Sequence, residues 1–125
     1  MEAEAMYTER LLDHFRNPHG VGDLAAPARR VEVSNPACGD VLQLAARVEA
    51  GVVVEARYRV KGCTASIAAG SALIDWLTGR STAELPAFHT NIIDAALGGL
   101  AAESKHAAVL CADAVDALIG SLNSK

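Results

Sequence analysis

Aromatic side chains are scarce in this sequence: two Phe, two Tyr and one Trp make up 4% of 125 residues, although 51% of the chain is hydrophobic. The core must therefore be built from alanine, valine and leucine. Cysteine is also sparse, and its count of three is odd, which excludes a disulfide framework as the organising device and suits a reducing compartment. A cytoplasmic protein is the expectation. Long apolar runs are missing. Charge interrupts each one well before the ~20 residues that a membrane span needs, so no membrane is expected. The chain also lacks an excess of basic residues, and a formal charge of −4 argues against a nucleic-acid partner, which usually demands a basic face. Met1 to Met6, with Glu2 and Glu4, has neither the basic start nor the apolar run of a signal peptide. A length of 125 residues fits one domain, residues 1–125, around one core.

The pattern along the chain is that of an α+β protein. Tyr7, Leu11, Leu12 and Phe15 recur at helical spacing, and Asn17-Pro18 ends the run because a residue before proline is driven from helical geometry. Val31 and Val33 form a brief alternating pair. Leu42, Leu44, Ala46 and Val48 then alternate with more polar neighbours. After Glu49-Ala50-Gly51, Val52, Val54, Ala56, Tyr58 and Val60 alternate with charged residues. Period-two alternation about a glycine-containing turn predicts an antiparallel hairpin with one wet face. Helical spacing returns over Thr64–Leu77, with Gly79 as a stop. A loop is expected over Leu85–Asn91 with a helical turn before it, then a short helix over Ile92–Leu97 and a last helix from about Ser104 to Leu122. These elements predict a three-stranded antiparallel sheet with an N-terminal helix and C-terminal helices packed on one side.

Groups able to hold a metal fall at the ends of these elements. Cys38-Gly39-Asp40 precedes the second strand, Cys63 follows the third strand and opens a helix, and His106 starts the last helix. The far ends of a hairpin lie side by side, so Cys38 and Cys63 are expected to be close. Thiolate, imidazole and carboxylate are the usual donors to zinc or to the iron of a cluster. Each residue also has a structural reading. A cysteine in a small domain is often only a small buried hydrophobe, Cys38-Gly39-Asp40 is also a sound polar turn, and His106 is also a solvated first-turn residue. No spacing is a CxxC pair, and composition and spacing leave both readings open.

Larger motifs bear on the choice. Asn35-Pro36-Ala37-Cys38-Gly39-Asp40 resembles the first signature of the NifU/IscU iron–sulfur cluster scaffold family. Gly62-Cys63-Thr64-Ala65-Ser66-Ile67-Ala68 resembles the second, and Tyr7 to Gly22 resembles the family's opening helix with its Asn-Pro stop. The resemblance implies a scaffold without turnover of its own, which takes sulfide from a cysteine desulfurase and iron from a donor. It would assemble a [2Fe–2S] cluster and pass it to apo iron–sulfur proteins, with a homodimer as one assembly state. By the same resemblance Cys38, Asp40, Cys63 and His106 would hold iron or the cluster. Two departures stand out. The family's His-Cys pair reads His106-Ala107 here, and the Leu-Pro-Pro-Val-Lys chaperone segment of the IscU branch reads Leu100-Ala101-Ala102-Glu103-Ser104. Cys111 lies one helical turn beyond Ala107. It is either a replacement metal ligand or a packing residue on the stripe with Ala114, Leu118 and Leu122.

Two other functions compete. One is a divergent relative that binds zinc or iron without building a cluster. The other is a metal-free interaction module. An enzyme is not expected, because the sequence has no oxyanion device, nucleotide loop or clear nucleophile–base pair.

Overall fold

A computed structural model describes residues 7–35 and 39–123. Helix α1 spans Glu9–Arg16 and starts where Thr8 supplies a cap, its hydroxyl oxygen accepting from the Leu11 N–H at 3.0 Å. The same hydroxyl donates to the Leu97 carbonyl, which ties the helix start to a distant part of the chain. Leu11 is the residue that α1 buries, and the helix packs against α2 (Thr64–Leu77).

Three antiparallel strands, β1 (Arg29–Asn35), β2 (Asp40–Glu49) and β3 (Val52–Lys61), form one sheet in that order. The β2–β3 turn has positive φ at both central residues, Ala50 at 53° and Gly51 at 75°. A primed two-residue turn requires this, because its twist matches that of the strands it joins. β1 is longer than its two valines predict. Its apolar content is low because it is an outer strand, and packing from α4 (His106–Asn123) compensates.

The free side of β3 is occupied at two places. Tyr58 donates its N–H to Gly20 and accepts from Gly22 at 2.8 and 2.9 Å. At the other end, Val53 donates to Arg80 at 2.9 Å and accepts from Gly79 at 2.7 Å. These loops spare much of the strand's edge from outside partners.

The remaining elements cover one face of the sheet. α2 packs on β3, α4 on β1 and β2, and the two helices on each other. A 3₁₀ turn over Thr82–Ala87 carries Leu85-Pro86, where the sequence predicted loop. A Ser81–Glu84 capping box fixes its start. α3 (Thr90–Ala96) follows, and a second 3₁₀ turn over Ala102–Ser104 delays the last helix to His106. Among the described residues, no helix is long and apolar enough to cross a membrane.

Among the described residues, alanine and leucine dominate the buried cluster, as the shortage of aromatics required. Tyr58 is its largest fully buried side chain and hands its hydroxyl proton to the Ile67 carbonyl at 2.6 Å. Cys111 belongs to this cluster, at 0% exposure beside Ala107, Ala114 and Leu118 in α4. Burial pushes its thiol up to about 12, so it stays protonated at neutral pH. Of the two readings for Cys111, this is the packing one. Cys111→Ser should therefore lower stability by about 1–3 kcal/mol, because it puts a hydroxyl into an apolar core. Bound zinc per folded chain should not change, and chemical denaturation followed by metal analysis checks both parts.

Candidate metal site

The site lies where the hairpin's far ends meet the starts of two helices. Asn35 pairs with Asp40 across β1 and β2, and Val41 pairs with Lys61 across β2 and β3. This register sets Asp40, the first residue of β2, next to the chain leaving β3. Cys63 occupies the N-cap position of α2 in extended geometry, without a side-chain capping bond, so its sulfur is not spent on the helix. His106 enters from the first residue of α4.

The three donors converge. Cys63 Sγ lies 3.4 Å from His106 Nε2 and 3.7 Å from Asp40 Oδ2, and His106 Nε2 lies 3.4 Å from Asp40 Oδ2. Donors bound to one tetrahedral ion at ordinary zinc bond lengths stand roughly 3.4–3.6 Å apart. The observed triangle is close to that size. One thiol, one imidazole and one carboxylate also suit the chemistry of zinc and of iron.

Neighbouring groups orient these donors. His106 Nδ1 lies 3.0 Å from the Glu103 carbonyl, which can only accept, so Nδ1 donates there and the ring turns Nε2 toward Asp40 and Cys63. Asp40 is only 6% exposed, and the hydroxyl of fully buried Ser66 donates to its Oδ2. Ser66 Oγ is also 3.5 Å from Cys63 Sγ. Cys63 itself is exposed, which leaves the sulfur open to exchange.

Sequence reasoning named Asp40, Cys63 and His106, and the fold brings these together. Cys38 lies outside the described residues. The fold does not bring Cys111 into this group, for the reason given above. Two contributors went unread. Ser66 was legible in principle, since three residues after Cys63 on a helix is the same face. Gly62 figures in the sequence only as the first residue of the second signature, yet a Cβ there would stand 2.6 Å from Asp40 Cγ. Gly62→Ala should therefore displace the carboxylate and weaken zinc binding by roughly 10–100-fold, the usual cost of disturbing a ligand's support. Competition against a chelator of known affinity measures this, and an unchanged affinity would show that Asp40 is not a ligand.

Comparison with known proteins places the chain in a family. The family model described as NifU-like N terminal domain matches residues 6–125. The iron–sulfur cluster assembly scaffold protein IscU of Haemophilus influenzae is 34% identical over 123 residues, covering 95% of this chain and 97% of that protein. The scaffold protein IscU 1 of Archaeoglobus fulgidus is 31% identical over 110 residues, covering 88% and 72%. A crystal structure of the N-terminal part of a nitrogen-fixing NifU-like protein from Brucella abortus has the same fold, with a TM-score of 0.66 and 21% identity over 98% of this chain and 95% of that one. The chain belongs to the NifU-like N-terminal domain family.

Proposed function

We propose that this protein is an iron–sulfur cluster assembly scaffold, which takes iron and sulfide as cargo and releases them as a cluster to apo-proteins. The observation that carries the proposal is the Asp40–Cys63–His106 triangle, within a chain so closely related to IscU scaffolds. A site at helix ends, with an exposed thiol and a carboxylate among its donors, can load and unload. Cys38, two residues before Asp40 in sequence, would add a second thiolate, and the cargo would then be a [2Fe–2S] cluster. A cysteine desulfurase would supply the sulfur as a persulfide, docking where Cys63 is exposed, and a thiol reductant would bring it to sulfide. A second copy of the chain could complete the coordination of a shared cluster. The protein would work in the cytoplasm and have no catalytic turnover of its own.

Ala107 favours a second reading. It stands where the family's third cysteine would be, and it is fully buried, so this position offers no thiolate. A site short of sulfur suits a single zinc or ferrous ion held without cluster assembly. Anaerobic reconstitution with ferrous iron, cysteine, a desulfurase and excess thiol reductant separates the two. A brown protein with the absorption and Mössbauer spectra of a [2Fe–2S] cluster supports the scaffold. A colourless protein retaining one zinc or iron per chain would overturn it in favour of the second reading.

A further inference from the structure

A second group of donors lies at the opposite end of α2. His14 comes from α1, His19 from the loop after it and Asp75 from the last turn of α2. One ligand atom from each lies within 4.8 Å of the other two. Asp75 is twelve residues beyond Cys63, so the two groups are roughly 18 Å apart along the helix at 1.5 Å per residue. They cannot share an ion.

The arrangement is organised from within. Ser71, fully buried in α2, lies 2.7 Å from His14 Nδ1 through its Oγ, and the same oxygen accepts the His19 backbone N–H at 2.8 Å. One buried hydroxyl thus fixes both the His14 ring and the chain that carries His19. It engages His14 through Nδ1 and leaves Nε2 for another partner. His19 Nδ1 lies 2.9 Å from each Asp75 oxygen, and the two imidazole rings meet edge to face with centroids 5.1 Å apart. His19 and Asp75 are about half exposed, at 49% and 50% of their side chains, so an ion has a route in and water has room beside it.

We propose that His14, His19 and Asp75 form a second cation site, for a divalent ion of the zinc class, independent of the Asp40–Cys63–His106 centre. Two imidazoles and one carboxylate are a donor set suited to such ions. Donors on one tetrahedral zinc stand roughly 3.4 Å apart. The His19–Asp75 pair therefore needs to open by only a few tenths of an ångström, while His14, with Nδ1 still on Ser71, has only the remainder of a spacing under 4.8 Å to close. The ion takes the position between imidazole and carboxylate, and a water completes its shell. Because this site has no thiol, it differs from the first in chemistry as well as place.

Zinc binding to the full chain tests the proposal, with stoichiometry from equilibrium dialysis and the imidazole resonances from NMR. In Cys63→Ser, which disables the first site, added zinc should still shift the His14 and His19 signals. His19→Ala should weaken this binding by at least about 10-fold, since losing a ligand costs no less than losing its support. Asp75→Asn keeps the side chain's shape and should weaken it too, which provides a second readout should the alanine variant fold poorly. The proposal is overturned if both signals stay in place up to about 1 mM zinc. It is equally overturned if His19→Ala and Asp75→Asn each bind as much zinc as the unmodified chain. Neither result bears on the cluster site.

Discussion

Cys63→Ser should abolish most of the rise in melting temperature that ferrous iron or zinc produces through the Asp40–Cys63–His106 centre. An ion that binds only the folded chain stabilises it by mass action, by about 2.7 kcal/mol at 100 times the dissociation constant. For a domain of this size that corresponds to roughly 10 °C. Serine keeps the shape of the side chain but replaces a soft sulfur donor with a poor neutral oxygen. The Cys63 sulfur is within 3.7 Å of both other donors, so its loss removes one corner of the triangle. The variant itself should fold normally, because Cys63 is exposed and caps nothing with its side chain. Arg57→Ala is the control. Arg57 lies on the sheet face away from the helices and pairs with Glu55, so the metal-dependent shift should persist. Calorimetric scans with and without metal decide the matter, and equal shifts in both variants would remove Cys63 from the site.

Gly70→Ala should be the most damaging one-carbon change in the fold. In an ordinary helix this substitution stabilises by roughly 0.5–1 kcal/mol, because glycine loses more backbone freedom on folding. Here a Cβ would lie 2.2 Å from Tyr58 Cε2 and 2.4 Å from Cδ2. The ring has nowhere to go: it is 1% exposed and anchored through its hydroxyl to Ile67. Relief must come from α2 moving off β3, and overpacking of this kind typically costs about 1–3 kcal/mol or more. The net expectation is a loss of about 2 kcal/mol. Gly120→Ala in α4 provides the opposite sign, since no atom approaches within 4 Å of a Cβ there, and a gain of up to about 1 kcal/mol is expected. Urea titrations of the two variants should move in opposite directions. A stable Gly70→Ala would mean that α2 and β3 pack less tightly than the Tyr58–Gly70 contact requires.

The sequence was most legible where one side of an element faces water. The β2–β3 hairpin was evident because Leu42, Leu44 and Ala46 face inward while Gln43 and Arg47 face out. The start of α1 was less legible, since Thr8 sets it through hydrogen bonds rather than through periodicity. β1 was under-read because much of its stability comes from α4, more than 70 residues further along the chain. The site followed the same logic. Asp40, Cys63 and His106 could be named because each ends an element. Their mutual distances depend on the β2–β3 register and on where the last helix begins. The His14–His19–Asp75 group was invisible for a similar reason. His14 and His19 are near in sequence, but Asp75 and the serine that aligns them arrive only when α1 packs on α2.

The occupied side of β3 has a consequence for how copies of this protein can meet. Fibril-like growth through backbone pairing needs two open margins on each molecule, one to receive a neighbour and one to offer the next. The Gly20–Gly22 and Gly79–Arg80 contacts engage β3 at Tyr58 and Val53, so an incoming strand cannot lie flat along it. That leaves β1 as the outer strand of the sheet. Two copies joined β1 to β1 would each have used the margin left open among the described residues, and a two-fold pairing of this kind closes on itself. Through the described strands, lateral growth by backbone pairing would therefore end at two chains.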